Sequence, residues 1–434
     1  MNNFDNYIYA ELKRQNIPGI AVGIFQNGHP VFMQGYGLSN IEHNVPVLTN
    51  TVFQTASIGK MFTAMAVMLL VEDKRIRLDE SITAYLPTAP KHWQTITLRH
   101  LLTHTSGLGA IDIDIKQEFT DDEYLEYYYA APIEFLPGER WSYSNTGYSV
   151  LGFIINKVTG KQYGVILQQR LFNPAGMHSA CIINDTDIVM HRAAGYENIL
   201  GEIKNQQWIS ASANTLAEGS LLLSLEDYLK WDNIVASRRI LSKESWKQIL
   251  SPVVLNNGQS YPYGFGWDIQ HHNQNQLIIG HEGSWQGFRT ALQRYDQDGI
   301  TFVVLANVNN ANVGEILKHV AVLYNPNYKD NSEKNRDDLF PSLTRELIKK
   351  IYFIIDQKFF DQVESNVSQN ILVSYLEALV KENIAHQLFL INDQPNGIHL
   401  DRIYKIHFRT KTLTIYVSFN QTLMNIYSLF IYLE

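Results

Sequence analysis

The chain has a single cysteine, Cys181, among 434 residues. That excludes an intramolecular disulfide and a multi-thiolate zinc site. It has no basic excess, since 35 Lys and Arg stand against 43 Asp and Glu for a net charge of −8. There is therefore no electrostatic reason to expect nucleic acid or an anionic membrane as its partner. It also has no long apolar run. The longest, Met61 to Val71, is broken by Thr63 and falls far short of the roughly 20 residues that span a bilayer. Met1 to Tyr9 shows neither the positive region nor the apolar core of a secretion signal. Because a removed signal leaves no trace, this does not decide the compartment. Nor is there a G-x-S-x-G elbow, a His-Glu-x-x-His pair or a phosphate-binding glycine loop. No metal and no organic cofactor is expected.

What the chain does have is an ordinary globular composition, 45% hydrophobic and 18% charged, too apolar for a mostly disordered protein. Its length suits two or three domains, or one large domain and a smaller one. The clearest boundary is Asn325 to Asp338, a polar stretch with no aliphatic residue, read as a linker that contributes nothing to a core. Residues 1–324 then form a large unit and 339–434 a small α+β domain of unknown role. In the small domain, helices are expected at Leu343 to Val363 and Ile371 to Ile384. Strands are expected at Ile403 to Arg409, Thr412 to Phe419 and Asn425 to Leu433.

At the start of the large unit, a helix from Phe4 to Gln15 is stopped by Pro18-Gly19. Strands at Ile20 to Phe25 and Val31 to Tyr36 flank Asn27-Gly28, a hairpin signal because both residues tolerate positive φ. Three further strands, Leu277 to Gly280, Phe288 to Tyr295 and Ile300 to Asn307, precede a helix from Asn312 to Leu323. The two ends read as one antiparallel sheet with helices against it. The stretch from Ser57 to Ser251 reads as a mostly helical insertion.

The insertion opens with Ser57-Ile-Gly-Lys60, running into a segment apolar on nearly every face, which predicts a buried helix. Ser57 and Lys60 share one face at its N-terminus. A serine needs a proton acceptor and nearby charge stabilisation to become a nucleophile. A desolvated lysine with a lowered pKa supplies the first, and the N–H groups of a helix start suit an oxyanion. The competing reading is chance, because serine and lysine are common. Against it, this is the sole S-x-x-K in the chain, and a lysine is costly inside an apolar helix.

A second cluster, Trp141-Ser-Tyr143-Ser-Asn145, follows Pro137-Gly138 and precedes a helical pattern, which puts Tyr143 on a loop. Its phenol can exchange protons with a serine, and the Asn145 amide can hold a substrate carbonyl. Tyr196-Glu-Asn198 has the same spacing but no helix after it. The third cluster is His281-Glu-Gly283-Ser284 at the end of a strand, where glycine lets a ligand approach the backbone. A lone histidine on a strand is as readily structural. Tyr127 to Tyr129 read as helix packing, His271-His272 as solvated loop, and Cys181 as a buried small residue.

In order along one chain, S-x-x-K, Y-x-N and H-x-G resemble the penicillin-recognising serine hydrolases. These are the class C β-lactamases, the D-alanyl-D-alanine carboxypeptidases and the related esterases and D-aminopeptidases. Ile96 to Leu108, Asn173 to Met177, Ser224 to Trp231 and Tyr263 to Trp267 resemble further landmarks of the same superfamily, and the likeness covers residues 4 to 324. It implies a β-lactamase/transpeptidase-like α+β fold. It also implies that Ser57 is acylated, that Lys60 and Tyr143 share acid/base work, and that Asn145 contacts the acyl group. The N–H groups of Ser57 and Ser284 would form the oxyanion hole. His281 stands where the β-lactamases carry the lysine of Lys-Thr-Gly, and no Lys-x-Gly occurs here. A mostly neutral histidine attracts an antibiotic's carboxylate less. Glu282, if it faced the site, would repel it by about 1–4 kcal/mol.

The expected substrate is therefore a small ester, amide or peptide. A β-lactam and a non-catalytic binding role are the alternatives. A dimer through the C-terminal domain is a further expectation; the resemblance favours a periplasmic or secreted location if a signal has been removed, and a cytoplasmic one is expected otherwise.

Overall fold

The computed structural model describes residues 3–111, 113–183, 186–199, 201–272, 276–329, 364–365, 389–396, 399–407, 412–420 and 425–433. The chain divides into two compact units, Met1–Lys329 and Asp330–Glu434.

Helix α1 (Asn3–Gln15) leads into β1 (Gly19–Gln26) and β2 (His29–Asn40). Asn27 and Gly28 make the tight hairpin with φ of 51° and 80°, as their tolerance of positive φ predicts. After the short β3 (Val45–Pro46) the chain leaves the sheet. It returns as β4 (Asp268–His272), β5 (Gln276–Trp285), β6 (Phe288–Tyr295) and β7 (Ile300–Ala306). The seven strands form one antiparallel sheet in the order β4-β5-β6-β7-β1-β2-β3. First and last strands therefore meet at its centre.

β1 is buried on both faces, and its alternation sorts its side chains between two cores. Ile20, Val22 and Ile24 join Ile8 of α1 and Ile316 and Val320 of the last helix. Ala21 and Phe25 join the core of the inserted helical region. That region holds α2 (Gly59–Glu72), α3 (Asn145–Thr159) and α4 (Leu225–Ser237), and α5 (Val313–Tyr324) closes the other face. Every residue of α2 from Gly59 to Leu70 is buried, as its apolar character requires. A buried ion pair ties α4 to the sheet. Arg294 of β6 donates to Asp232 at 2.8 Å, and Asp232 also accepts from Thr301 and from the Gly28 backbone N–H.

Several expectations need correction. The strand expected at 277–280 continues to Trp285, so the H-x-G cluster lies within a strand. His271 and His272 are part of β4, not loop. Being at the sheet edge and polar, β4 shows no apolar alternation. Cys181 is only half-buried, in a two-residue strand, Cys181–Ile182. Tyr328 is buried and stacks on Tyr295 with ring centroids 3.9 Å apart. The polar stretch from Asn325 thus adds an aromatic to the core where it lacks an aliphatic.

In the second unit β8 (Phe389–Asn396), β9 (His399–His407), β10 (Thr412–Asn420) and β11 (Asn425–Leu433) form an antiparallel meander. Glu364–Ser365 pairs parallel with β11. Three of the four long strands were expected; β8, with its Asn, Asp, Gln and Pro, was not. The helices expected over 343–363 and 371–384 lie outside the described residues.

Candidate active site

The chain enters α2 through a 3₁₀ turn, Ala56–Ile58. Ala56 has φ of 50°, in the left-handed region that residues with a Cβ seldom occupy. Such strain persists only where packing enforces it. The turn sits against β5 beyond Gly280, where β5 has lost its β4 neighbour. That free edge holds Gly283, which approaches so closely that a Cβ there would lie 2.4 Å from the Thr55 carbonyl. Ser57 and Ser284 face one small cleft, bordered by Asn145, Asn214, Glu218 and Trp285.

Lys60, one turn into the helix from Ser57, is wholly buried. Its ammonium donates to Ser57 Oγ at 3.2 Å, to Asn145 Oδ1 at 2.9 Å and to the Glu218 carbonyl at 2.8 Å. The Tyr143 and Tyr148 rings lie 4.8 and 5.5 Å from it. Burial lowers its pKa to about 7, against a smaller opposing pull from Glu218.

The loop carrying Tyr143 is fixed by its neighbour. Ser144 caps α3 by accepting from the Gly147 N–H, and its hydroxyl donates to the Leu108 carbonyl. Tyr143 is 40% exposed, and desolvation by the surrounding protein pushes the pKa of its phenol up. A hydrogen bond with Ser57 draws it partly back. Ser57, Lys60, Tyr143 and Asn145 thus converge. The rival Tyr196 lies elsewhere, buried on its own strand with its hydroxyl accepting from the Ile41 N–H.

His281 is buried. Its Nε2 lies 3.0 Å from the Tyr263 hydroxyl and its Nδ1 2.5 Å from the Glu282 carbonyl. Tyr263 also meets His104 Nε2 at 3.2 Å, and His104 Nδ1 accepts from the Ser144 N–H at 3.1 Å. Burial, then the Lys60 charge, lowers the His281 pKa to about 3 and that of His104 well down. Glu282 points to the other face of β5, toward Gly314 of α5, so its carboxylate does not enter the cleft. His104, Tyr263, Asn214 and Glu218 carried no assignment from sequence. The first two lay within motif stretches quoted above, which was the available signal. Among the described residues no cluster of three or more His, Cys, Asp or Glu is placed to hold a metal, and no helix is long and apolar enough to cross a membrane.

The fold and this cleft define a β-lactamase/transpeptidase-like protein of the serine type. The Beta-lactamase family model matches residues 4–324, and the chain belongs to that family. Penicillin-binding protein 4* of Bacillus subtilis (strain 168) is 30% identical over 307 residues, 65% of this chain and 66% of the relative. Protein flp of Staphylococcus aureus (strain MW2) is 25% identical over 331 residues, 73% and 65% respectively. The chain thus spans just under two thirds of the length of these curated relatives. Among solved structures, the octameric penicillin-binding protein homologue from Pyrococcus abyssi superposes with a TM-score of 0.67 at 21% identity, covering 96% of this chain and 95% of that one. The D-amino acid amidase of Ochrobactrum anthropi SV3 complexed with D-phenylalanine gives 0.65 at 23%, covering 75% and 99%. At these identities the likeness is one of fold.

Proposed function

We propose that the protein is a serine hydrolase that forms an acyl-enzyme on Ser57 and cleaves small esters or D-amino-acid amides. The observation that carries this reading is Lys60, an ammonium with no exposed surface and 3.2 Å from the Ser57 hydroxyl. Burying a lysine in an apolar helix is costly unless its lowered pKa is used.

Neutral Lys60 takes the Ser57 proton as Oγ attacks the substrate carbonyl. Tyr143 stays a phenol, so it serves as the acid side of the relay. The tetrahedral oxyanion is held by the N–H groups of Ser57 and Ser284. As the bond to the leaving group breaks, that group takes a proton from Tyr143, which is refilled from Lys60. Water then repeats the cycle on the acyl-serine and releases the acid. Asn145, tied to Lys60, orients the acyl group. The third motif offers a neutral imidazole where the β-lactamases have a lysine, so β-lactams are poor candidates. Two structural neighbours, named a D-amino acid amidase from Ochrobactrum anthropi SV3 and a D-stereospecific amidohydrolase from Streptomyces sp., support D-amino-acid amides as the first substrates to try. The C-terminal unit has no assigned part in this chemistry. We read it as a structural or self-associating appendage.

The test is intact-mass analysis after exposure to a fluorophosphonate. A single adduct on the wild type that maps to Ser57 and is absent from Ser57→Ala supports the hydrolase. A folded wild type that takes no adduct overturns it in favour of a binding protein.

A further inference from the structure

Three side chains and two backbone groups form one hydrogen-bonded line beside the cleft: Ser144 N–H, His104, Tyr263, His281 and the Glu282 carbonyl. Both ends fix its direction independently. At one end the Ser144 N–H can only donate, so His104 Nδ1 accepts. A neutral imidazole then carries its proton on Nε2, which donates to the Tyr263 oxygen. At the other end the Glu282 carbonyl can only accept, so His281 Nδ1 carries the proton. His281 Nε2 is then an acceptor, and the hydrogen of Tyr263 goes to it. The two ends agree, and every donor in the line meets an acceptor.

We infer that Tyr263 and His104 are positioning residues that hold His281 as a neutral imidazole with its proton on Nδ1, and so select acyl donors that carry no carboxylate next to the scissile bond. The selectivity rests on the hydrolase reading above; the hydrogen-bond line does not. Held this way, His281 has no free N–H and no charge to offer an anion. The groups around it reinforce this. Lys60 faces it from α2, and a second cation beside that ammonium is unfavourable. The Tyr143 ring lies 6.1 Å from the His281 ring between centroids, and His104 is linked to His281 through the Tyr263 hydroxyl. Tyr263 is 1% exposed, and burial keeps its phenol protonated. Glu282 and Asp268, the nearest carboxylates along the strands, include one that points to the opposite face and one on β4 beside Gly280.

The experiment has two arms on the full chain. Long-range proton–nitrogen spectra, with His281 assigned by its loss in His281→Asn, locate the proton directly. The wild type should show Nδ1–H and a bare Nε2, unchanged from pH 5.5 to 8. In Tyr263→Phe, which keeps the burial that lowers the His281 pKa but removes the donor to Nε2, the proton should stay on Nδ1 and the Nε2 shift should move to that of an unbonded ring nitrogen. The second arm uses two esters that differ only in a carboxylate or its amide beside the scissile bond. In His281→Lys, which puts a cation at that position, the preference for the neutral ester should fall about tenfold. A wild-type proton on Nε2, or wild-type titration near the ordinary histidine pKa, overturns the line, and neither needs a substitution to be seen. An unchanged ester preference in His281→Lys overturns the selectivity. No turnover of either ester by a wild type with the expected spectrum overturns the hydrolase reading and the selectivity together, and leaves the line standing.

Discussion

Lys60 donates to the Asn145 side-chain oxygen at 2.9 Å, a contact that joins the helix of the S-x-x-K motif to the helix of Y-x-N. Replacing Asn145 by Asp puts a carboxylate against the ammonium and stabilises its charged form. The acid limb of the kcat/KM profile should then move alkaline by about 1–3 pH units. Asn145→Ala removes a hydrogen bond to the charged form, so the limb should move the opposite way. Ester hydrolysis followed from pH 5 to 10 reads both shifts.

The wild-type profile itself should rise through about pH 7, where Lys60 loses its proton, and Lys60→Met should be inactive. Stability should follow the same group with a definite sign. Its folded pKa lies below the unfolded value of 10.5, so the unfolded chain binds more protons between the two. The cost of burying Lys60 is complete below about pH 7 and fades as pH rises toward 10.5. The melting temperature of Lys60→Met relative to wild type should therefore be highest at pH 6 and fall by pH 9. A difference that does not change with pH contradicts the lowered pKa.

Gly283 has no room for a methyl group. A Cβ would stand 2.4 Å from both the Thr55 carbonyl and Thr290 Oγ1 and 3.1 Å from the Ala56 Cβ. Backbone must shift to admit it, at a cost of about 1–3 kcal/mol. The shift falls on the turn that carries Ser57. Gly283→Ala should slow acylation more than 100-fold, as an order of magnitude for an oxyanion site displaced, while stopped-flow labelling still shows a single adduct.

Arg294 and Asp232 are 3% and 1% exposed at their side chains. Arg294→Met leaves a buried carboxylate without its cation, which should cost about 3–5 kcal/mol in urea denaturation. Adding Asp232→Leu should recover much of that loss.

The three motifs were legible because each is a short spacing on one element: Ser57 with Lys60 on a helix start, Tyr143 with Asn145 before a helix, His281 with Gly283 on a strand. Nothing of that kind announces Tyr263. Its meaning lies in contacts with His104 and His281, which only the closed fold brings within reach. Glu282 was ambiguous for a related reason, since the strand's face is decided by what packs on each side. The misread edges share a cause as well. β4 and β8 are polar strands whose pairing, not their pattern, makes them strands. Tyr328 enters the core through one aromatic stack rather than an apolar run.

The pairing of β1 with β7 has a kinetic meaning. Ile20 lies opposite Ala306, so a strand made early in this unit waits for one made near the unit's end. Until then the β1–β2 hairpin has an open backbone edge and two bare apolar faces. Contacts this distant in sequence close slowly and leave an aggregation-prone intermediate. Refolding from urea should therefore be slow, its yield should fall as protein concentration rises, and the helical insertion should become protected from hydrogen exchange before β1 does.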